Sequence, residues 1–95
     1  MSAQTVRVSI TYCSECGYEP QTAALARALM EEFGDKLAAI EIIPWHDGSF
    51  DVRVGGDLVH GMHREGGFPE HETIFRAVRQ RMRAEGGGRK AEEGG

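Results

Sequence analysis

Val6, Val8, Ile10 and Tyr12 alternate with Thr5, Arg7, Ser9 and Thr11. Side chains of a strand point to opposite faces in turn, so this run predicts a strand with one buried face and one polar face. The alternation returns where Phe50, Val52 and Val54 are interleaved with Asp51 and Arg53. A parallel sheet covered by helices on both sides has nearly continuous apolar strands. Half-polar strands put the helical layer on one face only. The other face is left to Arg7, Ser9, Thr11, Glu41, Asp51 and Arg53.

The other elements fit between these strands. Pro20 suits the first turn of a helix, where its missing N–H leaves no bond unmade. Leu25, Leu29 and Phe33 recur at helical spacing with Ala24 and Ala28 beside them, and Gly34 is a natural stop. Residues 37–43, "LAAIEII", read as a second strand, and "PWHDG" reads as the turn after it. Gly55-Gly56-Asp57 predicts a tight reversal with "DLVH" as the returning strand of a hairpin. The Gly-rich loop "GMHREGG" leads to Phe68-Pro69 and a second helix with Ile74, Phe75, Val78 and Met82 on its apolar face. Arg79, Arg81 and Arg83 near its end complement the helix dipole on a solvated face. The predicted order is β-α-β-β-β-α. Its opening βαβ unit has parallel strands and a right-handed crossover. The fold class expected is α/β, a four-stranded mixed sheet with both helices on one face.

A chain of 95 residues suffices for one such domain. The domain is expected over residues 1–84, and the polar, Gly-rich residues 85–95 are expected to be a disordered tail. The net charge of −4 argues against nucleic acid as the main partner, although basic residues gather in "FRAVRQRMR". No run approaches the roughly eighteen apolar residues of a membrane span. The first residues lack the charged-then-apolar order of a signal peptide. A soluble, cytoplasmic protein is expected.

The two cysteines, Cys13 and Cys16, stand together in "TYCSECGY" at the end of the first strand. A cytosolic compartment keeps thiols reduced, so a close pair there points to redox chemistry or metal binding rather than a structural staple. A two-residue spacer lets the sulfurs approach disulfide distance. A helix N-terminus nearby stabilises a thiolate, the species that attacks a disulfide. Glu15 between the thiols opposes this, and Pro20 sets the helix start a few residues past Cys16, so the activation expected is modest. A zinc site needs two further ligands, and His46, His60, His63 and His71 offer no second close pair at a familiar spacing. The histidines read as solvated loop or strand-end residues. Phe68 reads as a staple packed on the last helix, the alternative being an aromatic that contacts a partner. Tyr18 and Trp45 face the same two readings.

Three blocks, "YCSECGYEPQ", "GSFDVRVGGDLVHG" and "EGGFPE", resemble the selenoprotein W family, a small thioredoxin-like redox group that includes relatives of selenoproteins T and H. The resemblance runs from about Val6 to Met82 and is to a cysteine-containing, bacterial-type member of the Rdx group. It implies a thioredoxin-like fold and a role in cell redox homeostasis. The implied reaction is thiol–disulfide exchange with a thiol or disulfide substrate, glutathione or a redox protein serving as co-substrate, with no bound cofactor and no metal. Cys13 matches the family's first cysteine, and Cys16 the position of selenocysteine in selenium-containing members. Two features depart from thioredoxin: Tyr12 replaces the Trp before the pair, and no proline adjoins Ser49, where the cis-Pro facing the disulfide belongs. Cys13 and Cys16 are the expected catalytic residues. Cys16 is expected to attack first, from its selenocysteine position and its place nearer the helix, with Cys13 resolving. A redox-switched interaction module without turnover and a metal-binding protein stand as alternatives. A monomer or weak dimer is expected.

Overall fold

The structure is a computed structural model that describes the backbone of residues 5–94 and the side chains of residues 5–85. In chain order the elements are β1 (Arg7–Cys13), α1 (Glu19–Phe33), a 3-10 turn (Gly34–Lys36), β2 (Ala39–Trp45), β3 (Phe50–Val54), β4 (Asp57–Gly61), α2 (Met62–Glu65) and α3 (His71–Gly94). The sheet order is β2-β1-β3-β4. β1 and β2 are parallel, while β3 runs antiparallel to β1 and β4 antiparallel to β3. This is the mixed α/β architecture that the alternation predicts.

The core lies between the sheet and the two long helices. Val8 and Ile10 of β1 and Phe50, Val52 and Val54 of β3 meet Leu25, Leu29 and Phe33 of α1 and Ile74 and Val78 of α3, all buried. Both helices share this face. Phe33 and Phe75 meet edge to face at 5.7 Å, and Arg79 of α3 pairs with Glu32 of α1 at 2.8 Å. On the opposite face Arg7, Glu41 and Arg53 are exposed, and Ser9, Thr11 and Asp51 are half-buried.

Several details differ from expectation. β2 starts at Ala39 and continues through Pro44 and Trp45, which read as turn in the sequence. A proline is tolerated there because β2 is an edge strand and its open side needs no N–H. The turn is shorter: Asp47 and Gly48 both have positive φ, 78° and 69°, and the Ser49 N–H reaches the His46 carbonyl at 3.4 Å. α2 forms where a loop was expected. Gly66, at φ 82°, closes it by donating its N–H to the Met62 carbonyl at 2.7 Å. Two of the three arginines expected on a solvated face of α3, Arg79 and Arg81, are paired. Arg79 binds Glu72 at 3.0 Å as well as Glu32, and Arg81 binds Asp57 at 2.8 Å and Glu85 at 2.9 Å. α3 is assigned as far as Gly94. The tail expected over 85–95 falls, beyond Glu85, outside the residues whose side chains are described.

Candidate redox site

The sheet order dictates how the cysteines are held. β1 lies between β2 and β3, so the short connection from β2 to β3 must cross the C-terminal end of β1. Cys13 is the last residue of that strand. Its N–H donates to the Ser49 carbonyl at 2.7 Å. The Ser14 N–H and hydroxyl donate to the Trp45 carbonyl at 2.9 and 3.1 Å. The backbone of the first cysteine is thus anchored on both sides by the crossing segment. Ser49, the position expected to face the pair, does so through its main chain.

Cys13 and Cys16 form a disulfide, with Cα atoms 5.4 Å apart, in the ordinary range for such a bridge. The two sulfurs differ in access. Cys13 is 1% exposed, whereas Cys16 lies in an exposed turn with Ser14, Glu15 and Gly17. By alternation Cys13 shares the face of Arg7, Ser9 and Thr11, so its burial is not what the strand pattern implies. Strand order, which alternation does not reveal, brings residues 45–49 across it.

Gly17 adopts φ 75° between Cys16 and α1, and a Cβ there would meet nothing within 4 Å. Glycine is required by the left-handed backbone and not by lack of room. α1 begins at Glu19 with Pro20 in its first turn, as predicted. Thr22 secures this start, its N–H and hydroxyl reaching the Tyr18 carbonyl at 3.0 and 2.9 Å.

Two residues past Cys16, Tyr18 joins a cluster of rings. Tyr18 and Phe68 meet edge to face with centroids 4.9 Å apart, and Phe50 and Phe68 at 5.0 Å. Phe50 is buried, Tyr18 half-buried, and Phe68 remains 40% exposed. The ring partners of Phe68 place it at the sulfur-bearing end. His60 holds the loop that carries it. This histidine is buried, against the expectation of a solvated strand end, and its Nε2 lies 2.6 Å from the Gly67 carbonyl. A carbonyl only accepts, so Nε2 carries the proton. Trp45 is exposed and stacks on His46 at 4.6 Å.

The close cysteine pair and the helix start behind it are thus where the sequence puts them. The burial of Cys13, the clamp from Trp45 and Ser49, and the role of His60 were missed. No local signal gave them away, since a four-residue connection between β2 and β3 serves a simple hairpin as well as a crossing over β1. Among the described residues, no group of three or more His, Cys, Asp or Glu side chains is placed to hold a metal ion. No helix among them is long and apolar enough to cross a membrane.

The family model described as the Rdx family matches residues 7–80. Selenoprotein W of Danio rerio is 34% identical over 83 residues, covering 82% of this chain and 96% of that protein. Migration and invasion enhancer 1 of Bos taurus is 31% identical over 80 residues, covering 84% of this chain and 68% of that protein. Among solved structures, a selenoprotein W-related protein from Vibrio cholerae superposes with a TM-score of 0.76 at 26% identity, over 80% of this chain and 95% of the other. A protein from Bordetella parapertussis also superposes with a TM-score of 0.76, at 28% identity, over 81% of this chain and 98% of the other.

Proposed function

The chain belongs to the Rdx family, and on that premise we propose that it is a thiol–disulfide oxidoreductase whose working pair is Cys13 and Cys16. The observation that carries this reading is the unequal access of the two sulfurs: Cys16 is exposed and Cys13 is not. An attacking thiolate needs access to its target, and burial disfavours the charged form of a thiol.

In the reduced protein the Cys16 thiolate attacks one sulfur of a substrate disulfide. The substrate S–S bond breaks, one thiolate leaves, and a mixed disulfide on Cys16 remains. Cys13 then loses its proton and attacks the Cys16 sulfur, releasing the second substrate thiolate. Two electrons have passed to the substrate, and the protein is left with the Cys13–Cys16 bridge. Glutathione or a redox protein returns the electrons by the reverse sequence. No bound organic cofactor is needed. In this reading the protein works in the cytoplasm, as a monomer or weak dimer, in thiol homeostasis.

The test uses Cys13→Ser and Cys16→Ser separately, each reduced and mixed with a disulfide, with mass spectrometry to identify adducts. Cys13→Ser should accumulate a stable mixed disulfide on Cys16. The wild type should pass through it to the intramolecular bridge. Faster trapping by Cys16→Ser reverses the order of attack, and a wild type that keeps both thiols under oxidising conditions ends the redox reading. If the bridge forms but no substrate turns over relative to the double Cys→Ser protein, the redox-switched binding module takes its place.

A further inference from the structure

The two ends of the sheet carry different charge. β1 and β2 end, and β3, α1 and α3 begin, at the same end as the disulfide. Three segments meet there: residues 13–19, 45–51 and 60–70. Histidines aside, Arg64 is their single basic residue, and its guanidinium is bonded to Glu65 at 2.7 Å. Glu15, Glu19, Asp47 and Glu70 are all exposed there, and none has an ion-pair partner among the described residues. Glu15 adjoins Cys16, Glu19 adjoins Tyr18, and Glu70 lies two residues past Phe68. The arginines of α3 that bridge to Glu32 and Asp57 lie toward the far end.

The same end of the sheet carries an apolar platform. Phe68 is 40% exposed and rests on Tyr18 and Phe50. Tyr18 is separated from Cys16 by Gly17 alone. The His60 bond to the Gly67 carbonyl holds the platform in place from behind. An exposed aromatic resting on a ring two residues from a reactive cysteine offers a surface for an apolar side chain that follows the reacting group.

Building on the oxidoreductase reading, we propose that the substrate of Cys16 is a disulfide-bonded cysteine in a polypeptide, flanked by an apolar side chain that rests on Phe68 and Tyr18 and by basic side chains that meet Glu15, Glu19 and Glu70. Glutathione, an anionic tripeptide with no large apolar side chain, matches neither the platform nor the charge. Complementary charge raises encounter rates and suppresses like-charged partners, and added salt screens both effects. The exchange is the one already written: the Cys16 thiolate displaces one peptide thiolate and retains the other half as a mixed disulfide.

The experiment follows Cys13→Ser, which keeps the Cys16 thiol, reacting at pH 8 with four disulfides. Two are symmetric disulfides of a short peptide with a Leu-Cys centre, one flanked by Lys and one by Glu. The third is glutathione disulfide, and the fourth is the small neutral 4,4′-dithiodipyridine. At low salt the Lys-flanked peptide should react about tenfold or more faster than the Glu-flanked peptide and glutathione disulfide, a ratio in the range of electrostatic steering. That ratio should shrink with added salt and with the combined Glu15→Gln, Glu19→Gln and Glu70→Gln substitutions. Phe68→Ser should slow the Leu peptides relative to versions with Ser in place of Leu. Glutathione disulfide or the Glu-flanked peptide reacting as fast as the Lys-flanked one, at normal reactivity toward the neutral disulfide, overturns the proposal and leaves the oxidoreductase reading standing. A Cys16 thiol inert even to the neutral disulfide overturns both.

Discussion

β1 and β2 are paired in register over their full lengths, and β2 is the more apolar of the two, yet β1 is core and β2 is surface. The sharpest contrast is between two isoleucines directly opposite each other. Ile10 is 0% exposed and Ile42 is 49% exposed. Ile43 and Trp45 of β2 are exposed as well. The difference is one of position. β1 has a strand on either side and α1 packed over it, while β2 is the edge of the sheet. Apolar content says what a strand can bury, and strand order decides what it does bury. The exposed edge carries one safeguard, Pro44, which removes an N–H that an incoming strand would use.

Placing the same substitution on each member of this pair breaks or sharpens the contrast. Ile10→Asp puts an unpaired carboxylate into the core, which costs several kcal/mol out of the roughly 5–15 kcal/mol that hold a domain of this kind together. Ile42→Asp lies on the same face and should cost about 1 kcal/mol or less. Urea unfolding followed by circular dichroism checks both. Ile10→Asp should be largely unfolded before denaturant is added, and Ile42→Asp should keep a midpoint close to that of the parent. Similar losses from the two would mean that the edge of β2 is covered.

The contrast also marks what the sequence could reveal. Alternation in β1 and β3 was enough to place both long helices on one face, because a half-polar strand has only one face to bury. The C-x-x-C at the end of β1, with Pro20 behind it, was enough to locate the pair. β2 was misjudged at its end because Pro44 and Trp45 look like punctuation, and proline is excluded only from interior strands. The burial of Cys13 was out of reach for the same reason that β2 was. Both follow from β1 lying between β2 and β3, a long-range choice that no local pattern encodes. His60 was taken for a solvated residue because nothing in "DLVHG" announces the Gly67 carbonyl that accepts its Nε2–H hydrogen bond.

A smaller effect separates the strands on their polar face. Thr11 of β1 is half-buried, with Asp51 of β3 directly opposite and Ile43 of β2 on its other side. Like charges facing each other across strands destabilise, and opposite charges stabilise, by about 0.2–1 kcal/mol. Thr11→Lys should therefore be more stable than Thr11→Asp by up to about 1 kcal/mol. Ile43 faces only the neutral Thr11 within the sheet, so Ile43→Lys and Ile43→Asp should differ much less. Four denaturation midpoints at low salt decide the point. A sign preference at Ile43 as large as that at Thr11 would show that β2 has a charged neighbour on its open side.

The smallest effect concerns how β1 is tied to the rest of the chain at its start. Thr5, just ahead of β1, donates its hydroxyl to the Glu85 carboxylate of α3, and Glu85 is bonded in turn to Arg81. The Thr5 hydroxyl first, and then Arg81, hold the Glu85 carboxyl below its usual pKa. A carboxyl whose folded-state pKa is depressed contributes stability that is fully present above its unfolded pKa and is lost as pH falls through the folded one. Glu85→Gln removes the charge while leaving an acceptor for Thr5. The parent should be slightly more stable than Glu85→Gln near neutral pH, and the gap should close on acidification through and below the ordinary carboxylate range. The effect is small because the ion pair is exposed and screened by water. Stability curves of the two proteins at neutral and acid pH supply the check. A gap that stays constant or widens as the pH falls would show that the carboxylate charge does not help anchor the start of β1.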